Sequence, residues 1–403
     1  MSAPTSSRPA LPAQPSYAAV LRVPHARRTF GAALVARLSY GTVSLAVLLS
    51  VTRATGSYAV SGAVMSLFGG AAVFLMPLRA SLVDRHGPRR ALLPMAILYG
   101  SFLCALAALT WRPGAPAPLI AAAAALTGAC APPLGPTMRT LWAELVTDRG
   151  LLPRAYSLDG VAEELLFVSG PALVGVLVGC APPASGILLS ALLNTAGTCA
   201  FVTSPAMTGP RPTTPRGKGS GGVRGLLPPV AVATGVGLAL SGIELLVLAF
   251  AAERSYDTAL VPWVLGALSA GSAAGGLVNG AVRWRTPARV RLCRFAAGFG
   301  LTIAAAGLAP NLWTLTAAVA CAGAFIAPAL TTAYLLADET ATEGARTRAG
   351  AWVNTGVNAG SSGGALVTGA LIGRMPLGLC FLLAGGVAVM AAVVAGPWRR
   401  RAA

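Results

Sequence analysis

The sequence predicts an all-helical membrane protein with twelve transmembrane helices in two six-helix bundles. Three observations carry this. Hydrophobic residues fill 55% of the 403 positions and charged residues only 10%, whereas a soluble protein carries about 25% charged residues. The apolar residues fall in runs of about 20, the length that crosses a hydrocarbon core. Basic residues cluster in alternate gaps between those runs.

Residues 1–28 are rich in Pro, Ser and Ala, then basic at Arg22, His25, Arg27 and Arg28, and read as a flexible cytoplasmic tail. A cleaved secretory signal has a short apolar region and a small-residue cleavage site. The first apolar run is full length, so it reads as an uncleaved span. The spans fall at about 30–53, 57–78, 91–111, 117–138, 157–180, 183–203, 227–252, 257–282, 289–309, 311–336, 350–372 and 376–397. Breakers mark two of them: the tight turn Ala309-Pro310-Asn311, and Pro132, Pro133 and Pro136 within the fourth span. Ser204 to Gly225 is the longest polar interruption, dense in proline and glycine, the composition of a linker. It divides the chain into bundles at 29–203 and 227–398, joined by a cytoplasmic linker at 204–226 and followed by a basic tail at 399–403. Gly69-Gly70 before the first basic loop is echoed by Gly275-Gly276 before the loop after the eighth span.

Of the 30 Arg and Lys residues, 25 lie in the tails and loops of one side and 4 in the loops of the other. Basic loops stay on the cytoplasmic side, so both termini are expected there, in a plasma membrane. Topology thus accounts for the net charge of +18, and no nucleic-acid partner is needed. The seven cysteines form no C-x-x-C pair and read as small buried residues. His25 and His86 stand in basic segments outside the spans, which argues against a zinc site. No phosphate-binding loop occurs, since Gly217-Lys218-Gly219 sits in the linker, and no Ser/His or Cys/His pair lies at membrane depth. Neither a cofactor, a metal nor an enzymatic activity is expected.

Ionisable groups at membrane depth are costly and are candidates for function. Arg37 lies about seven residues, or ~10 Å, into the first span. Glu163 and Glu164 lie at similar depth in the fifth, so Arg37 is expected to pair with one of them, as a static tie or in ion coupling. Asp159 reads as interfacial, at a helix start that favours an anion, and Arg139 reads as an anchor at the end of the fourth span. Glu244 stands alone in the seventh span; a carboxyl group without a partner in an apolar setting favours its neutral form and can carry a coupling proton. Asn354, Asn358, Ser361 and Ser362 share one face of the eleventh span, amid Gly356, Gly360, Gly363 and Gly364. That segment serves either close helix packing or a wall facing cargo.

Between the second and third spans lies Leu-Arg-Ala-Ser-Leu-Val-Asp-Arg-His-Gly-Pro-Arg-Arg, residues 78–90. Asp84 is the lone acid in a basic turn built on Gly87-Pro88. With Asp84, Arg85, Gly87, Arg89 and Arg90 in place, and Ala80 where a glycine leads the pattern, this stretch resembles the loop between helices 2 and 3 of the major facilitator superfamily. The segments around Arg37-Leu-Ser-Tyr40-Gly and Glu163-Glu164-Leu-Leu-Phe are similar to ones common in actinobacterial transporters of that superfamily with unassigned substrate. The resemblance implies twelve helices and alternating access, with the loop aspartate contacting the start of helix 11, here near Arg348-Ala349-Gly350, while the cytoplasmic side is closed. The expected function is secondary active transport of a small organic molecule, as proton-coupled export by a monomer in the lipid bilayer. An importer or uniporter of the same fold, and an uncoupled sensor or lipid scramblase, are the alternatives.

Overall fold

The computed structural model describes residues 17–396 apart from 147, 149, 209–221, 258–259, 283 and 343. Most of the expected N-terminal tail, the middle of the linker and the basic C-terminal tail therefore lie outside the described residues. The described chain is helical, with no β-strand among those residues.

A short helix α1 (Tyr17–Arg22) precedes the first span, α2 (Ala26–Thr55). The second span is a bent pair, α3 (Tyr58–Phe74) and α4 (Met76–His86), which meet at 41°. Pro77 lies in the first turn of α4; it has no N–H to continue the helix ladder and its ring clashes with the turn before. The third span is α5 (Pro88–Trp111). The fourth is broken into α6 (Ala117–Cys130) and α7 (Leu134–Leu145) by Pro132-Pro133. The first half closes with α8 (Leu152–Val178), α9 (Ala184–Val202) and the single turn α10 (Pro205–Thr208). The second half holds α11 (Gly222–Glu253), α12 (Val261–Ala281), α13 (Ala288–Ala306), α14 (Leu312–Thr340), α15 (Arg346–Leu371) and α16 (Leu377–Ala395). The tight turn ahead of α14 is made by Asn311, which caps the helix by accepting from Thr314 N at 2.9 Å.

Length and apolarity alone qualify ten of the twelve spans, counting α3 and α4 as one. The other two are α13 and α15. Arg289, Arg291 and Arg294 open α13, and α15 carries Arg346, Arg348 and two asparagines, so their mean hydropathy falls although both pack as full members of the bundle.

The two halves repeat one set of packed pairs. In the first half span 1 packs on 5 and 6, 2 on 4, and 3 on 4 and 6; in the second, span 7 packs on 11 and 12, 8 on 10, and 9 on 10 and 12. The closest approaches repeat as well. A Cβ on Gly128 of α6 would stand 2.1 Å from Phe68 O of α3, and one on Gly323 of α14 would stand 2.1 Å from Leu268 O of α12. Gly69 and Gly70, by contrast, have open space around them, while Gly275 presses on Ala324 O. The sequence echo of the two glycine pairs is therefore not the structural repeat. The repeat lies where a backbone must approach a backbone, which only glycine permits.

Hydrogen bonds between the halves gather at the end that carries the basic loops, called here the arginine-rich end. The deepest of them join Ser272 to Glu164 and Thr355 to Val73 O.

Candidate functional site

Four charged side chains meet just inside the arginine-rich end. Asp159 and Glu163 are four residues apart on α8 and so share a face. Arg37 comes to them from α2 and Arg139 from α7. Arg37 Nη1 lies 2.6 Å from Asp159 Oδ1, and its Nη2 lies 3.0 Å from Glu163 Oε2. Arg139 Nε lies 3.0 Å from Asp159 Oδ2, and its Nη2 pairs with the same Glu163 Oε2. Two positive and two negative charges make the group neutral, which is the condition for burying it at membrane depth. Arg37 is 3%, Arg139 5% and Asp159 0% exposed.

Two sequence expectations change here, and the alternative left open for Arg37 falls to Glu163. Asp159 is not interfacial but fully buried, about two turns inside α8. Arg139 is not an anchor: the Pro132-Pro133 break turns α7, so Arg139 points into the bundle. Glu164 does not compete for Arg37. One residue on from Glu163, it is rotated by about 100° around the helix and accepts a hydrogen bond from Ser272 of α12, in the other half.

The cluster continues across the interface. The Arg139 guanidinium carbon sits 3.8 Å over the ring centre of Tyr334, on α14 of the second half. Asn354 Nδ2 of α15 donates to the Tyr334 hydroxyl at 3.4 Å, and Asn358 Nδ2 donates to Asn354 Oδ1 at 2.8 Å. A polar chain thus runs from α2 through α8 and α7 to α14 and α15.

The basic loop makes a second crossing. Asp84 Oδ1 accepts from Thr347 N at 3.1 Å and its Oδ2 from Arg348 N at 2.9 Å. These are free N–H groups in the first turn of α15, where the helix dipole favours an anion. Gly87 ends α4 at φ +81°, a conformation that suits glycine. Arg85, Arg89 and Arg90 point outward and are exposed.

The family profile described as Major Facilitator Superfamily matches residues 29–301, more than half of the chain. The chain belongs to the Major Facilitator Superfamily. It is therefore a multi-pass membrane transporter and not an enzyme. Among curated proteins, none matches in sequence. Similar solved structures include the human organic anion transporter MFSD10, at 14% identity and a TM-score of 0.69 over 93% of this chain and 100% of that one. A bacterial homologue of the iron transporter ferroportin, in an outward-facing state, is similar at 14% identity and a TM-score of 0.67 over 92% and 96%. The E. coli fucose:proton symporter FucP is similar at 13% identity and a TM-score of 0.68 over 93% and 99%. At these identities they show a shared superfamily fold.

The remaining predicted residues divide. Ser361 Oγ donates to Gly237 O, and Ser241 donates to Ser361 O, both across the α11–α15 contact. Gly356, Gly360 and Gly364 face the same contact, with a Cβ on Gly360 falling 2.1 Å from Thr234 O. The expected stripe thus divides: Ser361, Gly356, Gly360 and Gly364 serve packing, Asn354 and Asn358 chain to Tyr334, and Ser362 and Gly363 lie outside both, Ser362 exposed and bonded to Asn358 O. Glu244 is exposed on the outer half of α11, one turn from the exposed Leu248, with no hydrogen bond or ion pair among the described residues.

Sequence reasoning missed Tyr334, Ser272 and Arg79. Arg79, counted with the loop charges, is only 4% exposed. Its guanidinium donates to Gly128 O at 2.7 Å and to Ala72 O, near the ends of α6 and α3. Tyr40 closes the same break by donating to Pro132 O at 2.5 Å. Part of the signal was present: Pro132 and Pro133 remove the donors that would bond Gly128 O and Ala129 O, and both carbonyls accept from Arg79.

Proposed function

We propose that this superfamily member is a proton-coupled exporter of a small organic molecule that works by alternating access. In this reading the bundles at 29–203 and 227–398 move about the linker at 204–226, and the chain acts as a monomer. The arginine-rich end and both termini lie on the cytoplasmic side of the plasma membrane, the side on which basic loops are retained. One observation carries the reading: hydrogen-bonded and cation–π ties between the halves gather at that end, at Asp84 with α15 and at Arg139 with Tyr334. This arrangement is outward-facing, the state in which the similar ferroportin homologue was solved. For the inward-facing state these ties must break, and Arg139 then keeps only its carboxylate partners.

Glu244 is the proposed coupling site. It lies on the half of α11 away from the arginine-rich end, pairs with no cation among the described residues, and can exchange a proton as its solvation changes. A compound screen in cells with and without the gene identifies cargo. In proteoliposomes with that cargo, Glu244→Gln is expected to retain binding and to abolish accumulation driven by a pH gradient. Uphill transport by Glu244→Gln at the wild-type rate rejects the assignment. The likeness to a proton symporter favours import as a second reading. The direction of proton movement when cargo is added decides between the two.

A further inference from the structure

The segment ahead of the first span reaches across to the other half. Helix α1 packs on α2 and α8, both in the first half. From there the Tyr17 hydroxyl donates a hydrogen bond of 2.5 Å to Leu277 O on α12, in the second half. Gly280, one turn further on, provides the room: a Cβ there would stand 2.4 Å from the Tyr17 hydroxyl and 2.9 Å from Ser157 Oγ of α8. Burial raises the Tyr17 phenol above its ordinary range, so it remains a protonated donor at neutral pH.

Beside it stands Arg154, which is buried in the first turn of α8. One of its amino groups donates to Gly150 O at 2.7 Å, and the other donates to Ala281 O at 2.6 Å, the last residue of α12. Carbonyls in a final helical turn lack partners and carry partial negative charge, so an arginine there meets both needs. The Asp84 contact is the same device with the sign reversed, an anion on the first turn of α15. The loop after span 8 has no counterpart to Asp84. The contact of spans 5 and 8 is instead fastened by a cation on a helix C-terminus and by a tyrosine from outside the bundle.

We propose that α1 is a strap over the arginine-rich end, tied by Tyr17 to α12, and that its release accompanies opening of that end. The segment before the first span thereby sets the balance between the two states of the transporter. This rests on the alternating-access reading above.

The test uses the full-length protein in proteoliposomes, with the native cysteines replaced and Thr347→Cys as reporter. Thr347 is 2% exposed and lies at the Asp84 contact, away from Tyr17, so its labelling reads opening of the whole end. A membrane-impermeant maleimide is added on the arginine-rich side. Tyr17→Phe removes only the hydroxyl and should raise the labelling rate about two- to tenfold, the equivalent of one net hydrogen bond. Gly280→Ala places a methyl group where that hydroxyl sits and should give a similar rise. The double variant should add little to either. Wild-type labelling rates in both single variants would overturn the proposal. The assay needs neither cargo nor gradient, so its failure is distinct from failure of the Glu244→Gln test.

Discussion

Glu163 Oε2 is shared by two arginines from two different helices, and Asp159 gives one oxygen to each of the same pair. Each arginine therefore holds both carboxylates, and losing one leaves a buried net negative charge. Removing one partner of a buried pair typically costs roughly 3–5 kcal/mol. Arg37→Ala is accordingly expected to lower expression and the melting temperature in detergent. Adding Asp159→Asn to Arg37→Ala restores neutrality and should recover part of the loss. A double variant no more stable than Arg37→Ala alone would show that neutrality is not what the cluster needs. The depth of Arg37 and Glu163 was legible, since both lie about equally far into their spans. That Asp159 and Arg139 join them was not, because the direction of Arg139 depends on a helix break whose angle no count of residues gives.

At the scale of elements, two spans in the first half are broken, and each break is bound to the other. The carbonyls of Ala72 and Gly128 both accept from Arg79, so the bend of α3 against α4 and the gap between α6 and α7 form one joint. The carboxylate of Asp84, on the α4 side of that joint, meets the start of α15. A charge at a helix end is worth up to ~2 kcal/mol in partly buried geometry. Asp84→Asn keeps the size and one acceptor but loses the charge, so it should favour the state open at the arginine-rich end. The measurement is cysteine accessibility along α15 from that side, in a chain without native cysteines. Unchanged labelling would leave the loop as a topological anchor, since acids contribute little to orientation. The prolines of these breaks were visible in the sequence; their carbonyls' partner was hidden because Arg79 stands beside a loop of like charges.

At the scale of the molecule, the charge asymmetry and the closed end coincide. If the arginine-rich end is cytoplasmic, a green fluorescent protein fused after Ala403 should fluoresce, and alkaline phosphatase fused there should be inactive. The opposite pair of results would reverse the orientation and make the structure inward-facing. The repeat of packed pairs is built around one apolar cluster that runs through both halves, with Phe30 and Trp142 in the first and Phe299 and Tyr334 in the second, and a smaller cluster within the first half. Opening at the arginine-rich end therefore parts apolar surface as well as hydrogen bonds and one cation–π contact.

The sequence by itself determined the number of spans, their order and the side on which the arginines lie. Hydropathy and loop charge are local sums, and they need no knowledge of what packs against what. The partner of Asp84 was implied by the resemblance of its loop to that of the superfamily, and the free N–H groups of a helix start are the physical reason the contact holds. Tertiary structure alone decided the pairings at depth: that Glu163 takes the arginines while Glu164 takes Ser272, that Arg139 lies over Tyr334, and that Tyr17 reaches α12. These depend on the rotation of each helix about its axis and on two proline breaks, and a residue's angle around a helix has meaning only once its neighbours are in place.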